Sequence, residues 1–433
     1  MTGTSPLQAV RDSFKNLVSN LNTSRDKQSG GDYYFTKLTE DTLSNIYRTS
    51  WMGRKTVDIP AKDATRKWRE WEAENDQIEM IEAEEKRLRL PQKVMLALRL
   101  SRLYGGSAIY FSIDGDDPAL PLELEYIKPE SLMFITVFQK SALQTGDIDQ
   151  DPMSEFYGMP MWYEINGSGG GTVRIDPSRL ALFTGAETLS SGSMGANDGW
   201  GDSVLQSAFE AVRNADSTAS NTASLVYEAK VDVLKIPDLA NIMANPRTRG
   251  LLEQRVELSA QLKGNNGMLI VDGEEDYSQK TFSFAGLPEI TYQALQSVSG
   301  AADIPLTRFL GQSPAGLSST GESDLKNYYD AVNSMQTLIM TPALENLDAV
   351  LLRSALGNNV DDISYTWSSL WQMSDEQKSK ISKETAETIK TLADSGLFMD
   401  ADLAEAAANL LIEYSILPSF EFTEANTNEE EQL

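Results

Sequence analysis

The sequence predicts an α+β fold with more than one domain. Apolar residues recur at helical spacing near the start of the chain and again in its second half, which predicts long helices there. Shorter β-rich stretches separated by glycine-containing turns lie between them. The 433 residues suffice for two or three domains, and 41% of them are hydrophobic, which is enough for a sizeable core.

The composition excludes several kinds of active site. The sequence contains no cysteine and no histidine. A disulfide, a zinc site with thiolate or imidazole ligands, and a Ser-His or Cys-His nucleophile are therefore impossible within these residues. We expect no enzymatic activity, no cofactor and no metal. The lack of cysteine fits assembly in a cytoplasm, and neither a signal peptide nor a membrane-spanning run is expected.

The net charge of −27, from 64 acidic and 37 basic residues, is unusual for a protein that grips nucleic acid. Such proteins normally have a basic patch that neutralises phosphates. Only short basic clusters occur in this sequence, at 66–69 and 86–89. Two interpretations stay open: an ordinary solvated acidic surface, or a surface that repels DNA passing close to it.

The first hundred residues are predicted to be mainly helical. Residues 1–35 are polar and are predicted to be a partly disordered arm, and the first helix begins near Thr39. Residues 61–103 are predicted to be helical, and Pro91 is well placed to start a second helix. Before residue 61, we expect Trp51, Val57 and Ile59 to pack in the core. Within 61–103, Trp68 and Trp71 are three residues apart and are predicted to share one helix face.

A β-rich part follows Tyr104. Strands are predicted at 107–113 and 132–138, and a hairpin at 163–175 with a glycine-rich tip. The acidic turn that begins at Asp114 lacks the remaining ligands of a calcium loop, so no metal site is predicted there.

The next part predicts helices around a small β insert. A helix is predicted from Asp202, a suitable N-cap, to Tyr227, and a buried strand at 231–236. A helix opened by Asn245 and Pro246 should end at Gly264. Short strands at 265–287 and a helix at about 288–302 are predicted next.

Residues 304–356 contain the most distinctive pattern. An apolar approach leads to a loop of small residues from Gly311 to Gly321, and a long helix begins at Glu322. A loop of this composition buries little side chain, so it is either mobile or held from outside. Pro342 lies inside the helix and should kink it.

The C-terminal part is predicted to be helical. A strand at 363–367 precedes a capping-box pattern at 374–377, which opens a helix to about Asp394. Gly396 should end that helix, and a last helix is predicted at about 400–414. The acidic tail that follows has the composition of a disordered end.

The run GQSPAGLSSTGESDLKNYYD at 311–330 resembles the portal proteins of tailed bacteriophages. The order of helix, β insert, helix and loop before it is similar to that family as well. The resemblance implies a portal fold that assembles into a ring with a central channel. The parts that it implies are a flexible arm (1–35), a wing of helices and β-sheet (36–240), a stem helix (241–264), a clip (265–287), a second stem helix (288–304), a tunnel-loop region (305–321), a kinked wing helix with a strand (322–372), an α-helical crown (373–418) and an acidic disordered tail (419–433).

The resemblance also implies the functional residues. The tunnel loop that faces the DNA channel would consist of Gln312, Ser313, Pro314, Ala315, Gly316, Leu317, Ser318, Ser319 and Thr320. The clip residues that dock the packaging machinery or an adaptor would be Asp272, Gly273, Glu274, Glu275, Asp276 and Tyr277. Pro342 would be the kink of the helix that supports the loop.

The implied function is that of a portal. Twelve copies would form a ring at one capsid vertex of the virion, assembled in the host cytoplasm, through which double-stranded DNA is packaged and ejected without sequence specificity. The implied partners are the terminase large subunit, the major capsid protein or a scaffold, and a head–tail adaptor, with no membrane. The alternatives are another virion structural protein, such as a capsid protein or neck adaptor, and a carboxylate-dependent hydrolase.

Overall fold

A computed structural model describes most of the chain between residues 35 and 394. The described ranges are 35–154, 157–166, 171–188, 199–227, 230–262, 276–281, 284–311, 321–357, 363–371 and 375–394. Helices and antiparallel sheets together make an α+β fold, as predicted. The arm at 1–34, the hairpin tip at 167–170, the last helix and the acidic tail lie outside the described residues.

The first helices agree with the capping signals of the sequence. The helices are α1 (Glu40–Thr49), α2 (Trp51–Arg66), α3 (Asn75–Leu88) and α4 (Leu90–Tyr104). The side chain of Thr39 accepts a hydrogen bond from the amide of Thr42, which confirms the predicted start. Arg89 adopts a left-handed conformation that separates α3 from α4, and Pro91 lies in the first turn of α4, as predicted.

The prediction that residues 61–103 are helical is wrong in one place. Strand β1 (Arg69–Glu72) lies between α2 and α3 and pairs antiparallel with β10 (Ser364–Trp367). Arg69 and Trp71 are buried, while the alternate residues are exposed. A partner almost 300 residues away in sequence therefore overrides the local helical pattern. Trp68, just before the strand, does not share a helix face with Trp71.

Two three-stranded antiparallel sheets follow α4. The first has the order β3–β2–β7 and the second the order β4–β5–β6. The strands are β2 (Gly106–Ile113), β3 (Leu132–Gln139), β4 (Leu143–Thr145), β5 (Tyr163–Asn166), β6 (Thr172–Ile175) and β7 (Leu180–Thr184). The strands predicted at 107–113 and 132–138 and the hairpin at 163–175 are thus confirmed. In the acidic turn, the Asp116 carboxylate accepts a hydrogen bond from the buried Arg179 guanidinium.

The largest core lies where α4 packs on β2 and β3 and where α11 (Thr341–Leu356) packs on β7. Val57 and Ile59 are buried, as predicted. Trp51 is 48% exposed, so its predicted place in the core is wrong. Its ring instead packs against that of Phe309, with centroids 5.9 Å apart, at the edge of the fold.

Helix α5 (Leu205–Tyr227) begins three residues later than predicted. The backbone of Asp202 is in an extended bridge with Ala186, so Asp202 cannot serve as the N-cap. The hydroxyl of Ser203 accepts from the amide of Leu205 instead. The long-range bridge therefore decides where this helix begins.

Between α5 and residue 305, the described residues form two paired strands and three helices. The elements are β8 (Lys230–Lys235), α6 (Leu239–Ala244), α7 (Pro246–Leu262), β9 (Asp276–Thr281) and α8 (Leu287–Ala301). Strand β9 lies between α7 and α8 in the chain and pairs antiparallel with β8. Of the stretch 265–287, for which short strands are predicted, residues 265–275, 282 and 283 lie outside the described residues. Helix α8 packs along α5.

The last described elements are a short helix before the loop, a long helix interrupted by a π turn after it, a strand, and a final helix. The elements are α9 (Leu306–Leu310), α10 (Glu322–Met335), a π turn (Gln336–Met340), α11, β10 and α12 (Asp375–Asp394). Ser374, the predicted cap of α12, lies outside the described residues. Within the described part, no helix has both the length and the apolar character needed to cross a membrane, and no group of His, Cys, Asp or Glu side chains is arranged to hold a metal ion.

Candidate functional site at the loop anchors

The loop between α9 and α10 is bounded by two glycines in the left-handed region. Gly311 has a φ of 71° and Gly321 a φ of 60°, a conformation that residues with a Cβ adopt only with strain. Gly311 ends α9 and Gly321 precedes α10. The predicted tunnel-loop residues between them, Gln312, Ser313, Pro314, Ala315, Gly316, Leu317, Ser318, Ser319 and Thr320, lie outside the described residues.

The carboxylate of Asp63 binds both flanks of this loop. Asp63 lies on α2, and its side chain is 1% exposed. Arg308 on α9 donates to it through Nε at 3.0 Å and Nη2 at 2.8 Å. The hydroxyl of Tyr328 on α10 donates to Oδ2 at 3.0 Å. One buried acid on α2 therefore joins the helix before the loop to the helix after it.

The protonation states of Tyr328 and Arg308 decide which group donates in these hydrogen bonds. Burial raises the pKa of Tyr328, and the negative charge and hydrogen bond of Asp63 raise it further. The hydrogen bond to Asp63 also raises the pKa of Arg308. Both groups stay protonated at physiological pH, so both donate to the carboxylate.

A second anchor holds the backbone at the end of α9. The ammonium group of Lys55 donates to the carbonyl oxygen of Phe309, whose ring is fully buried. The same ammonium lies 5.1 Å from the centre of the Trp51 ring, close enough for a cation–π contact. The loop thus leaves from a helix whose backbone and side chains are both fixed to α2.

The basic cluster at 66–69 has internal partners. Arg66 lies 3.5 Å from Asp63, donates to the carbonyl of Leu370 and stacks over the ring of Tyr329. Arg69 is fully buried. The guanidinium groups of Arg66 and Arg69 bind other groups of the protein, so they do not form a basic surface for DNA phosphates.

Arg69 is the centre of a buried charge network. Its guanidinium binds Asp348 on α11 through two bonds of 2.5 and 2.6 Å, and it donates from Nε to Glu85 on α3 at 2.9 Å. Burial raises the pKa of both carboxyls, and the Arg69 charge opposes that shift. Burial alone would lower the pKa of Arg69, but the two carboxylates outweigh it and raise this pKa. The network joins β1, α3 and α11.

A π turn interrupts the helix that follows the loop. Gln336 is fully buried, and its side-chain amide donates to the carbonyl of Ala64 on α2. The carbonyl of Gln336 accepts from both the backbone N–H and the hydroxyl of Thr341. Pro342, the predicted kink residue, is the second residue of α11, directly after this turn. The helix therefore departs from α geometry before the proline is reached.

Two adjoining cavities border the inner side of this helix. One of about 260 Å³ is lined by Tyr328, Val332 and Met335, and one of about 510 Å³ is lined by Met335 and Ile339. Arg102 lines both cavities. Burial lowers its pKa to about 10, and it donates to two backbone carbonyls of α2. Helix α10 thus has open space beside it.

The predicted clip residues divide between two groups. Asp276 and Tyr277 are the first residues of β9, where they stand opposite Lys235 and Leu234 of β8. The other four predicted clip residues lie outside the described residues. They are Asp272, Gly273, Glu274 and Glu275.

The Asp63 and Arg69 networks were not predicted from the sequence. Asp63 is 245 residues from Arg308, and Arg69 is 279 residues from Asp348. The one local signal is an acid placed among buried residues: Asp63 stands between Ala61 and Ala64, both fully buried. An acid on such a face requires a buried partner, but its identity is not encoded nearby.

The fold belongs to a known class of virion structural proteins. A solved structure titled "Neck of empty GTA particle computed with C6 symmetry" matches 92% of this chain and 99% of its own, with a TM-score of 0.54 and 14% identity, which shows a shared fold. The family model described as phage portal protein matches residues 41–391. The chain therefore belongs to the phage portal protein family, as the resemblance at 311–330 predicted.

Two relatives extend this comparison. A protein of Caulobacter sp. (strain RHG1) named "Anti-CBASS protein Acb1" is 40% identical over 425 residues, covering 95% of this chain and 68% of that protein. An uncharacterized protein of Haemophilus influenzae is 27% identical over 403 residues, covering 91% of this chain and 89% of that protein. Both matches extend over nearly the whole chain.

Proposed function

We propose that copies of this chain form the ring-shaped channel at one capsid vertex, through which double-stranded DNA is packaged and ejected. The observation that supports this most strongly is the family match over 41–391. We infer a ring of twelve subunits in the virion, assembled in the host cytoplasm. The division of the subunit into arm, wing, stem, clip, tunnel loop and crown is part of the same proposal.

Exposed apolar side chains support the ring. A closed ring needs two different complementary faces on each subunit, and both must bury surface that an isolated subunit leaves exposed. Helices α6, α7 and α8, which lie in the proposed stem or begin next to it, display such side chains. The residues are Leu239, Met243, Leu251, Val256 and Ile290, each more than 40% exposed.

The loop and the clip have separate proposed roles. Residues 312–320 would line the channel, and their small and hydroxyl side chains would contact DNA weakly and without reading bases. Residues 272–277 would dock the terminase large subunit during packaging and a head–tail adaptor afterwards. The wing would contact the major capsid protein or a scaffold.

The chain itself is proposed to have no enzymatic activity. The name of the Caulobacter relative describes that protein, and about a third of it lies outside the match. The 433-residue sequence contains no histidine and no cysteine, so only carboxylates, Lys, Tyr and Ser are available for catalysis. The purified chain should leave nucleotide and DNA substrates intact. Turnover that is lost on substitution of a specific carboxylate would favour the hydrolase alternative.

The first test is the mass and symmetry of the purified assembly, by native mass spectrometry and negative-stain class averages. A ring of about twelve subunits with a central hole is the expected result. A protein that stays monomeric or dimeric in the presence of its capsid protein or scaffold would contradict the proposal. Another virion structural protein would then be the better assignment.

The second test is deletion of residues 312–320 with a short glycine linker. Because both flanks are anchored to α2, the ring should still form, while DNA packaging or retention should fall. A replacement of the loop by an equally long Gly/Ser sequence is the matched control for length. Loss of ring formation in the deletion would contradict the role assigned to the loop.

A further inference from the structure

We propose that Asp63 is a positioning residue that couples the two ends of the loop, so that the ends move together. The inference goes beyond the proposed function and does not depend on it, because it concerns only the helices on either side of the loop. It concerns a residue of α2, far from the loop in sequence, that contacts both flanking helices. Asp63 itself lies outside the loop region.

The coupling follows from shared atoms. The Oδ2 atom of Asp63 accepts both from Nε of Arg308 and from the hydroxyl of Tyr328, each at 3.0 Å. Because the carboxylate is almost completely buried, water cannot replace a lost donor without a large cost. If Tyr328 moves away, the carboxylate loses a bond that fixes its orientation and can turn from Arg308 toward the more distant Arg66. The position of α10 therefore changes the strength of the bond that holds α9, and the reverse is also true.

The frame that holds Asp63 is rigid. Most of α2 is buried, and two further contacts fix it to the same part of the fold. Gln336 donates to the carbonyl of Ala64, and Lys55 donates to the carbonyl of Phe309. The backbone of α2 is thus a fixed frame, and the side chain of Asp63 links the two helices that flank the loop to each other through that frame.

The cavities give α10 room for such a shift. Tyr328, Val332 and Met335 border open space on the inner side of α10, and the π turn follows directly. A π turn interrupts the regular α-helical bonding at this point, so α10 is not locked to α11 by a continuous α-helical ladder. A displacement of α10 toward this space would move the Tyr328 hydroxyl relative to Asp63, and the coupling would transmit that displacement to α9.

Hydrogen exchange of the full-length protein tests the coupling directly. The amides of Phe309 and Gly311 are protected by bonds to the carbonyls of Pro305, which caps α9, and Thr307, which lies within it. In Tyr328→Phe, which removes only the donor on α10, we expect these α9 amides to exchange about tenfold faster. The matched control is Tyr329→Phe, the same substitution one residue further on, whose ring stacks under Arg66. Faster exchange confined to α10 would overturn the proposal.

A second set of variants separates coupling from general loss of stability. Arg308→Gln should speed exchange of the α10 amides, including that of Leu325, which donates to the Gly321 carbonyl. Arg308→Lys keeps the charge and should restore part of that protection. Amides of β2 and β3, remote from the loop, report general destabilisation. If their exchange rises as much as that of the loop flanks, Asp63 has only a structural role and the inference fails.

The inference and the proposed function fail in different ways. Exchange measures the coupling whether or not the ring conducts DNA. Coupled flanks in a protein that forms no ring would leave the inference intact and remove the portal assignment. A ring that packages DNA but shows no exchange response in α9 to Tyr328→Phe would keep the portal assignment and remove the coupling.

Discussion

At the residue scale, two buried charges, Asp63 on helix α2 and Arg69 on strand β1, each bind groups from elements far away in the sequence. Asp63 is compensated by two donors from the loop flanks, and Arg69 is compensated by Glu85 and Asp348. A buried charge that keeps its partner is tolerated, whereas one that loses it is costly. Each network therefore specifies which elements must come together.

Replacement of Arg69 by Met is the first prediction. The change leaves two carboxylates buried without their cation, so the free energy of unfolding should fall by about 3–5 kcal/mol. Urea denaturation followed by tryptophan fluorescence measures this. Arg174→Met, at an exposed guanidinium stacked on Trp162, is the control and should cost little. An equal loss in the two variants would show that the buried network does not stabilise the fold.

Replacement of Glu85 by Gln is the second prediction and concerns pH. Burial raises the pKa of Glu85 in the folded protein above its unfolded value. The carboxyl therefore favours the folded state most at acidic pH, and this contribution is lost as the pH rises through the raised folded-state pKa. Gln cannot titrate, so the wild type should gain stability relative to the variant as the pH falls from neutral toward the acidic range. A difference in unfolding free energy that does not change with pH would contradict this.

The local part of the site follows from the sequence, and the long-range part does not. The glycines at 311 and 321 mark the loop ends because few other residues accept a positive φ. Nothing near Asp63 or Arg69 indicates Tyr328 or Asp348, because those partners are set by tertiary packing. The exposure of Trp51 has the same origin: its hydrophobicity predicts burial, but its neighbour Phe309 takes the interior place.

At the element scale, helix ends were predictable where a cap defines them. Thr39 caps α1, and Pro91 marks the start of α4. Strand β1 was not predictable, because four residues between two helices become a strand only by pairing with β10. The π turn was anticipated only as a proline kink. Its carbonyl acceptor at Gln336 and its donor at Thr341 are five residues apart, a spacing without a sequence signature.

Replacement of Thr341 by Val is the third prediction. The hydroxyl of Thr341 donates to the Gln336 carbonyl and accepts from Nε1 of Trp367 on β10. Removal of both bonds at nearly constant volume should lower the free energy of unfolding by about 1–3 kcal/mol. It should also speed amide exchange in the π turn. Thr337→Val is the control, since its exposed hydroxyl bonds only to the preceding helical turn. The same exchange response in both variants would mean that Thr341 does not fix the turn.

At the scale of the whole molecule, the protein is strongly acidic, and two of its clustered arginines bind groups of the protein itself. A net charge of −27 is spread over a chain whose clustered arginines at 66 and 69 bind its own acids and carbonyls. A channel wall built from such subunits would repel a phosphate backbone, so DNA could pass without being held. The interpretation of the charge as a DNA-repelling surface, left open by composition alone, is thus the one that we favour.

The fourth prediction follows for duplex DNA. Proteins that neutralise phosphates bind non-specific DNA with dissociation constants of about 10⁻⁴–10⁻⁶ M, and their affinity rises steeply as salt is lowered. The assembled protein should bind a labelled duplex more weakly than this range. Lowering the salt should not restore binding, because repulsion between like charges also grows when screening falls. Fluorescence anisotropy at two salt concentrations measures both the affinity and its dependence on salt.

A variant with two or three loop residues changed to lysine is the positive control for access to the channel. Tight binding by the unmodified ring that strengthens at low salt would mean that a basic surface lines the channel, and the repelling wall would have to be abandoned.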